Sequence, residues 1–415
     1  MMNIFSDGKA CHIMMVTHVL PYPPAAGNEI RIYRMLQWLR NAGFRVSLVL
    51  RPLGEDVSNE CITGLKQVVD DLYVFDSRCA ITECLGSAFT PDEAEKRPHL
   101  ADMQSGFCPP WFAQEVNALI TDTKPDVLIA QYIFTSRLLL TTAAAPLLKI
   151  IDTHDLFSQK QETVEKYGIA NFGLMMSAED ESLLFKRADA LLAIQQLELK
   201  AMQRMVPERQ VLLTGFDVDI FSVDPALREQ GVVLIVASSN EFNVRGTQDF
   251  LDYTWPLVRE RCSFARLRLV GKVCGFVHTA DPSVEKIGFV HDLADEYGRA
   301  NVVVNPCGVG TGLKIKTVEA LAWGKAHIGW PASADGLREI ADLPYIVATD
   351  VVEFADAVTD LLLNADRACA LGSAAHKFAE QYLGGEATYG PLAALINSHV
   401  ATSREGGVNN SLHRG

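Results

Sequence analysis

The sequence lacks any apolar run long enough to cross a membrane. Its longest apolar region, Leu138 to Ile151, is interrupted by Pro146 and Lys149 and falls short of the roughly 18 residues that a bilayer span requires. The N-terminal segment carries Asp7 and Lys9 ahead of a short apolar run, which is not the pattern of a signal peptide. We therefore expect a cytoplasmic protein.

The sequence also lacks the cysteine spacing of metal sites and disulfide frameworks. Its nine cysteines are odd in number and include no Cys-x-x-Cys pair. Zinc sites usually show such pairs, and disulfide-rich domains usually carry an even number. We interpret the cysteines as reduced side chains and predict no metal.

Positive charge is scarce as well. The 37 lysines and arginines stand against 51 acidic residues, which gives a formal net charge of −14, and no basic cluster offsets it. This balance argues against nucleic acid as a partner and leaves at most weak peripheral contact with an anionic membrane. It does not indicate an oligomeric state.

Two stretches of alternating strand and helix patterns are present. In the first, the apolar run from His12 to Leu20 is followed by a proline-rich loop that ends at Gly27, and Asn28 looks like the N-cap of a helix. The apolar stripe of that helix is formed by Ile32, Met35, Leu36 and Leu39. In the second, a strand over 232–237 precedes a helix over 247–260. Such alternation predicts an α/β protein with two parallel sheets.

The same pattern sets the domain boundaries. We predict an N-terminal Rossmann-like domain over residues 1–214, a linker over 215–230 and a second Rossmann-like domain over 231–380. A helix over 381–402 is expected to return to the first domain, and the polar segment 403–415 is expected to be a disordered tail.

The stretch from Asn301 to Gly324 carries the clearest chemical signal. A buried strand, a glycine loop and a helix follow one another, and Lys314 and Lys316 fall in the first helical turn. The helix dipole disfavours each lysine there by about 0.3 to 1 kcal/mol, so a phosphate or diphosphate is the natural ligand. The alternative is an ion pair of Lys316 with Glu319 on a solvated face, worth about 0.2 to 0.5 kcal/mol.

Several motifs together resemble a known family. They are Gly288-Phe289-Val290, Val302 to Pro306, Gly308 to Gly312, Glu319 to Ala322, Gly324-Lys325, the loop that ends at Gly27, Asp152 to Asp155, Arg187 to Asp189, and Gly215 to Asp219. Over roughly residues 11 to 400, this pattern resembles retaining GT-B glycosyltransferases of family 4, also called glycosyl transferases group 1.

The resemblance implies a fold and an activity. The fold would be two Rossmann-like, doubly wound domains that face a central cleft. The activity would be transfer of a hexosyl group from a nucleoside-diphosphate sugar to an acceptor hydroxyl, with retention of anomeric configuration. It would serve cell-surface polysaccharide or glycoconjugate biosynthesis, on a glycan, lipid-linked or small-molecule acceptor. Neither a metal nor another cofactor would be required.

The resemblance also implies site residues. The catalytic candidates are His154, Arg245 and Lys314, and the donor-binding candidates are Gly27, Asn240, Gly310, Thr311, Gly312, Lys316 and Glu319. In the family pattern Glu319 would bind the donor ribose, His154 the donor sugar and Arg245 the diphosphate.

Two positions depart from the family pattern. Thr311 stands where a glutamate is usual, and Ser239 stands where an arginine is usual, so Lys314 or Lys316 would supply the missing positive charge.

Two alternative functions stay open. A nucleotide-sugar epimerase has the same fold, and a non-catalytic nucleotide-sugar-binding partner would tolerate the changes at Thr311 and Ser239. On the acceptor side no residue is assigned. Arg31 and Arg34 would face either the cleft or solvent. The aromatic segment Phe107 to Phe112 would either form an apolar surface, as an acceptor groove or a membrane-facing edge, or, more simply, pack under a loop.

Overall fold

The chain folds into two compact units. The structure, a computed structural model, describes residues 10–54, 56–75, 96–159, 176–215, 217–222, 224–308 and 315–412. One unit comprises residues 1–215 and 388–415, and the other comprises residues 216–387.

The first unit is built on a seven-stranded parallel sheet. Its strands are β1 (His12–Thr17), β2 (Arg45–Leu50), β3 (Asp71–Val74), β4 (Val127–Gln131), β5 (Leu148–Asp152), β6 (Ala190–Ala193) and β7 (Gln210–Leu213). They lie in the order β3-β2-β1-β4-β5-β6-β7, and every neighbouring pair is parallel. The order changes direction at β1 and β4, and in such sheets ligands bind beyond the carboxyl ends of the strands at that point.

Helices cover both faces of this sheet. They are α1 (Gly27–Asn41), α2 (Asn59–Leu65), α3 (Pro98–Phe107), α4 (Pro110–Thr123), α5 (Ala178–Phe185) and α6 (Gln196–Met205). The apolar stripe predicted for α1 is confirmed, since all four of its residues are fully buried.

Asn28 does not cap α1 as predicted. The helix begins one residue earlier, and the side chain of Glu29 instead accepts hydrogen bonds from the backbone N–H groups of Ala25 and Ala26, both at 2.8 Å. A carboxylate in the first turn satisfies these orphan donors as well as a capping side chain would.

The second unit repeats the plan with six strands. They are β8 (Val232–Val236), β9 (Arg266–Val270), β10 (Val284–Gly288), β11 (Val302–Asn305), β12 (Ala326–Gly329) and β13 (Ile346–Val347). They are parallel, in the order β10-β9-β8-β11-β12-β13. The predicted α/β class with two Rossmann-like, doubly wound parallel sheets is therefore confirmed.

The helices of this unit are α7 (Glu241–Asp249), α8 (Trp255–Arg261), α9 (Ala294–Arg299), α10 (Ile315–Ala322), α11 (Val351–Leu363) and α12 (Ala365–Tyr382). The helix predicted from residue 247 begins earlier, at Glu241. Asn240 is its N-cap, with Oδ1 accepting from the backbone N–H of Asn243 at 2.9 Å. An asparagine in that position is a helix-start signal that apolar periodicity alone overlooks.

The segment predicted as a linker is attached to the second unit. The ring of Phe221 stacks on Trp323 at 4.1 Å, and Trp323 also stacks on Tyr297 at 5.1 Å. Backbone N–H groups of Val218 and Phe221 donate to carbonyls of Leu383 and Ala322. The charged residues and Pro225 suggested a linker, but the aromatic stacking and the hydrogen bonds fix the segment in place.

The last helix, α13 (Gly385–Leu412), replaces most of the predicted disordered tail. Its residues Tyr389, Leu392, Ile396 and Val400 are buried in the core of the first unit. Once such packing has formed a helix, each further residue adds a backbone hydrogen bond at little cost, so the helix continues past residue 403.

None of the helices in the described ranges has the length and apolar character needed to cross a membrane.

Two helical glycines, one in each unit, differ in how closely the surrounding structure packs against them. A Cβ at Gly372 in α12 would lie 2.4 Å from the carbonyl oxygen of Gly324, whereas a Cβ at Gly106 in α3 would meet nothing within 4 Å. We predict that Gly106→Ala raises the free energy of unfolding by about 0.5 to 1 kcal/mol through helix propensity. Gly372→Ala should lower it by about 1 to 3 kcal/mol through overpacking. Urea unfolding of both variants is the measurement, and a stabilising Gly372→Ala would contradict the prediction.

Candidate functional site

A buried ion pair organises the carboxyl edge of the first sheet. Arg31 of α1 is 3% exposed and Asp152 at the end of β5 is fully buried. The Nε of Arg31 donates to both carboxylate oxygens, at 3.2 and 3.0 Å, and Nη2 donates to Oδ1 at 2.8 Å. Burial opposes the charge of Arg31, but the Asp152 carboxylate outweighs it and raises the pKa of the guanidinium.

The same guanidinium reaches the end of β7. Its Nη1 donates to the carbonyl oxygens of Thr214 at 2.8 Å and Gly215 at 2.6 Å, and its Nη2 donates to Thr214 Oγ1 at 2.9 Å. Arg31 therefore ties α1, β5 and β7 together within the core. The sequence placed Arg31 in the cleft or in solvent; the structure shows a buried structural role instead.

His154 lies two residues beyond Asp152 and is held by the neighbouring strand. Its Nε2 is 2.6 Å from Oε1 of Gln131, the last residue of β4, and 3.6 Å from Asp152 Oδ2. His154 and Tyr132 both have positive φ, at 60° and 65°. Their rings stack at 4.0 Å with 8° between the planes. The hydrogen-bond partner of His154 is Gln131, a residue that sequence reasoning missed.

The glycine loop before α1 is linked to this histidine. Burial raises the pKa of the Tyr132 hydroxyl, and the side chain of Asn28, next to Gly27, acts on that hydroxyl and partly offsets the rise. Tyr132 in turn stacks on His154. Because Asn28 Oδ1 also accepts from the N–H of Glu29 at 3.0 Å, its position is set by the first turn of α1. The structure thus brings Gly27 and His154 into one local arrangement.

The aromatic segment at the start of α4 packs inside the first unit. Phe107 stacks on Phe134 at 4.4 Å, and Phe112 is 1% exposed. The guanidinium of Arg51 lies over the rings of Trp111 and Phe112. Packing, the simpler of the two predicted roles, is the one the structure supports.

In the second unit, a buried polar network fixes the end of β11 and the first residues after it, Pro306 and Cys307. Asn305 Oδ1 accepts from the N–H of Cys307 at 3.1 Å, and its Nδ2 donates to Thr317 Oγ1 at 3.1 Å. Thr317 donates to the carbonyl of Ser333 at 2.9 Å. His327 Nδ1 lies 3.1 Å from the Val303 carbonyl, and burial lowers the pKa of this histidine to about 3, so it is a neutral donor there.

A close backbone approach joins this segment to α7. A Cβ at Gly246 would lie 2.6 Å from the carbonyl oxygen of Pro306. The same carbonyl accepts a hydrogen bond from Trp330 Nε1 at 3.0 Å. Glycine is therefore required at 246 by packing, and α7 lies directly against the start of the glycine loop.

Arg245 precedes that glycine and is exposed, with no ion pair to any residue that the structure describes. Asn240, predicted to bind the donor, forms the N-cap of the same helix and also contacts Ser238 Oγ at 3.3 Å through Nδ2.

Lys316 and Glu319 form an ion pair on α10. Lys316 Nζ is 2.8 Å from Glu319 Oε2, and both side chains are partly exposed. This is the i,i+3 pair that the sequence offered as an alternative to phosphate binding. Glu319 Oε1 has no hydrogen-bond partner among the described residues, so the carboxylate keeps a free acceptor.

Four predicted site residues, Gly310, Thr311, Gly312 and Lys314, lie outside the described residues. Within the described ranges, no group of three or more His, Cys, Asp and Glu side chains could hold a metal ion. The metal-independent mechanism stays a prediction.

The Arg31–Asp152 pair yields a stability prediction. Arg31→Met leaves a buried carboxylate without its partner and should lower the free energy of unfolding by about 3 to 5 kcal/mol. Arg45→Met removes a half-exposed pair with Asp71 and should cost less than about 1 kcal/mol. Urea unfolding monitored by circular dichroism compares them. Equal losses would show that burial does not distinguish the two pairs.

The match to a protein-family model lies in the second unit. The family model described as Glycosyl transferases group 1 matches residues 230–364. This range contains Arg245, Gly246, the loop after β11 and the Lys316–Glu319 pair. No curated protein matches the sequence.

Solved structures resemble the chain over nearly its whole length. Sucrose-phosphate synthase from Thermosynechococcus elongatus has a TM-score of 0.64 and 16% identity, covering 94% of this chain and 100% of that one. HepE from Anabaena, solved with UDP and glucose, has a TM-score of 0.59 and 14% identity, covering 95% and 99%. A TarM variant from S. aureus, solved with fondaparinux, alpha-GlcNAc-glycerol and UDP, has a TM-score of 0.66 and 9% identity, covering 93% and 100%.

At these identities the similarity establishes the fold, while the family match concerns the second unit. Residues 230–364 thus carry a glycosyl transferases group 1 domain, and the two parallel-sheet domains have GT-B glycosyltransferases as structural neighbours.

Proposed function

We propose that the protein is a glycosyltransferase that moves a hexosyl group from a nucleoside-diphosphate sugar to an acceptor hydroxyl with retention of anomeric configuration. The match of residues 230–364 to the group 1 family supports a transferase. The ligands named for two neighbours, UDP with glucose and UDP with alpha-GlcNAc-glycerol, support a nucleotide-sugar donor. Cell-surface glycan or glycoconjugate synthesis is the proposed setting.

One observation supports the donor site most directly. Glu319 lies on α10, and contacts of Asn305, Trp330 and Gly246 fix the backbone at Pro306 and Cys307, just after β11. Lys316 engages only one of its carboxylate oxygens. A carboxylate with a free oxygen is suited to accept hydrogen bonds from the vicinal hydroxyls of a ribose.

Positive groups in the same domain suit the chemistry of the leaving group. Breaking the anomeric bond builds negative charge on the departing β-phosphate. The helix N-terminus at α10, Lys314, Lys316 and Arg245 would stabilise that charge, and each 1.4 kcal/mol of differential stabilisation gives about a tenfold rate increase. The departing phosphate itself would take the proton of the acceptor hydroxyl, so neither a metal nor a separate carboxylate base is needed.

A thermal-shift screen with UDP, GDP, ADP and TDP tests the proposal and identifies the base. A shift with one nucleotide, followed by sugar transfer from the matching donor, is the expected result. Conversion of the donor without an acceptor would instead indicate an epimerase, and binding without any turnover would indicate a non-catalytic partner. The absence of a shift with all four would contradict a nucleotide-sugar site.

Substitutions of Lys314 and Lys316 distinguish two possible roles of these lysines, which are binding of the phosphates and positioning of the Glu319 side chain. We predict that Lys314→Ala and Lys316→Ala each weaken binding of the nucleoside diphosphate about tenfold, because each removes a charge-assisted contact. Binding of the corresponding nucleoside should change little. Calorimetry with both ligands is the measurement.

The exposed Lys377 of α12 provides the control, and Lys377→Ala should bind both ligands as wild type does. If Lys316→Ala weakens the nucleoside and the diphosphate equally, Lys316 acts on Glu319 rather than on phosphate. Unchanged binding by both Lys314→Ala and Lys316→Ala would contradict the phosphate site.

A further inference from the structure

We propose that Gln131 is a positioning residue that fixes the proton of His154 on Nε2, so that Nδ1 presents a lone pair to a hydroxyl of the sugar substrate. The inference rests on the proposed function for its ligand. It assigns a role to a residue that no motif in the sequence indicated.

The orientation of the Gln131 amide follows from its surroundings. Gln131 is fully buried, and its Nε2 lies 3.3 Å from Met15 Sδ and 3.7 Å from Met35 Sδ. Thioether sulfur is a weak acceptor and has no proton to donate. The flipped amide would leave the carbonyl oxygen facing two sulfurs without a donor, which is the costly arrangement for a buried acceptor.

This orientation determines the tautomer of His154. Oε1 of Gln131 can only accept, so His154 Nε2, 2.6 Å away, must carry the proton. In a neutral ring the proton is then absent from Nδ1. Nδ1 makes no hydrogen bond with any residue in the described ranges, so none of those residues uses its acceptor capacity.

The ring is also held in place. His154 has φ of 60°, which is rarely adopted by a residue with a side chain, and Tyr132 covers one ring face at 4.0 Å. Strained backbone of this kind persists where the surrounding contacts fix it, and it occurs often at functional sites. The hydrogen bond to Gln131 and the stacked ring leave the imidazole one orientation.

The charged groups around the ring keep it neutral. Asp152 lies 3.6 Å from Nε2, but Arg31 already engages both of its oxygens. His18, after β1, packs against the ring of Tyr132 at 5.2 Å and is neutral at pH 7, because burial lowers its pKa to about 4. Burial, partly offset by Asp152, lowers the pKa of His154 to about 3. The phenol of Tyr132, whose ring is stacked on His154, stays protonated, since burial and, to a lesser extent, Asp155 raise its pKa.

A neutral acceptor at this edge of the sheet selects its ligand chemistry. Nδ1 can receive a hydrogen bond from a hydroxyl group but cannot donate one, so His154 recognises the substrate as a hydroxyl donor. At neutral pH it acts neither as an acid nor as a cation.

Nitrogen NMR of the 15N-labelled full chain tests the tautomer without any substrate. The His154 signals, assigned by comparison with His154→Phe, should show a protonated Nε2 and an unprotonated Nδ1 that do not titrate between pH 5 and pH 8. A protonated Nδ1, or titration near pH 6.5, would overturn the inference even if the enzyme transfers sugar. In Gln131→Met, which keeps the volume but removes the acceptor, both tautomers should appear.

The variant Gln131→Glu tests the inference through the pH dependence of the enzyme kinetics. A carboxylate beside Nε2 stabilises the imidazolium form and should therefore raise the pKa of His154. As the pH falls through this raised pKa, Nδ1 gains a proton and becomes a hydrogen-bond donor. In this variant we expect the KM for the nucleotide sugar to rise about tenfold below that pH, with little change in kcat. The KM of the wild-type enzyme should not change over the same pH range. An unchanged pH profile in a folded variant would count against the inference.

Gln104→Glu is the matched control. Gln104, on α3, is also buried, but its side chain accepts a hydrogen bond from Arg187 and makes none with His154 in the described part of the chain. This variant should keep the wild-type His154 signals and pH profile. If no nucleotide sugar is turned over at all, the proposed function fails while the NMR result still decides the role of Gln131.

Discussion

The buried contact between Arg31 and Asp152 is the constraint on which the carboxyl edge of the first sheet depends. A carboxylate with no exposure needs its partner, because an unpaired buried charge is strongly destabilising. The guanidinium of Arg31 donates hydrogen bonds to that carboxylate and also to the backbone carbonyl oxygens of Thr214 and Gly215, which follow β7. With Asp152 engaged in this way, His154 remains neutral and bonds Gln131 rather than the carboxylate.

In the second unit, contacts with the backbone carbonyl of Pro306 fix the carboxyl end of β11. Gly246 lets α7 approach the Pro306 carbonyl, Trp330 binds the same carbonyl, and the Asn305–Thr317 bond fixes the strand end beneath it. These contacts are neutral and buried, whereas Lys316, Glu319 and Arg245 remain at least partly exposed. In the proposed mechanism, such support would preorganise the positive groups that stabilise the leaving phosphate.

Much of the fold could be predicted because apolar periodicity and β-branched runs mark buried strands locally. The stripe of α1 and the strand at Val302 follow from such patterns. The side-chain partners could not be predicted, because they join positions far apart in the chain. Arg31 and Asp152 are 121 residues apart, and Gln131 and His154 are 23 apart. The role of Asn240 as an N-cap was readable from its type, but the apolar pattern that begins later obscured it.

The most direct measurement compares a ribose ligand with its dideoxy analogue in wild type and in Glu319→Gln. Calorimetry would use the nucleoside diphosphate that binds and the 2′,3′-dideoxy form of the same nucleotide. If Glu319 binds the ribose hydroxyls, wild type should prefer the ribose form about tenfold or more, and Glu319→Gln should lose most of that preference. Equal discrimination by both proteins would show that the ribose is not bound by Glu319 and would contradict the donor site proposed for residues 230–364.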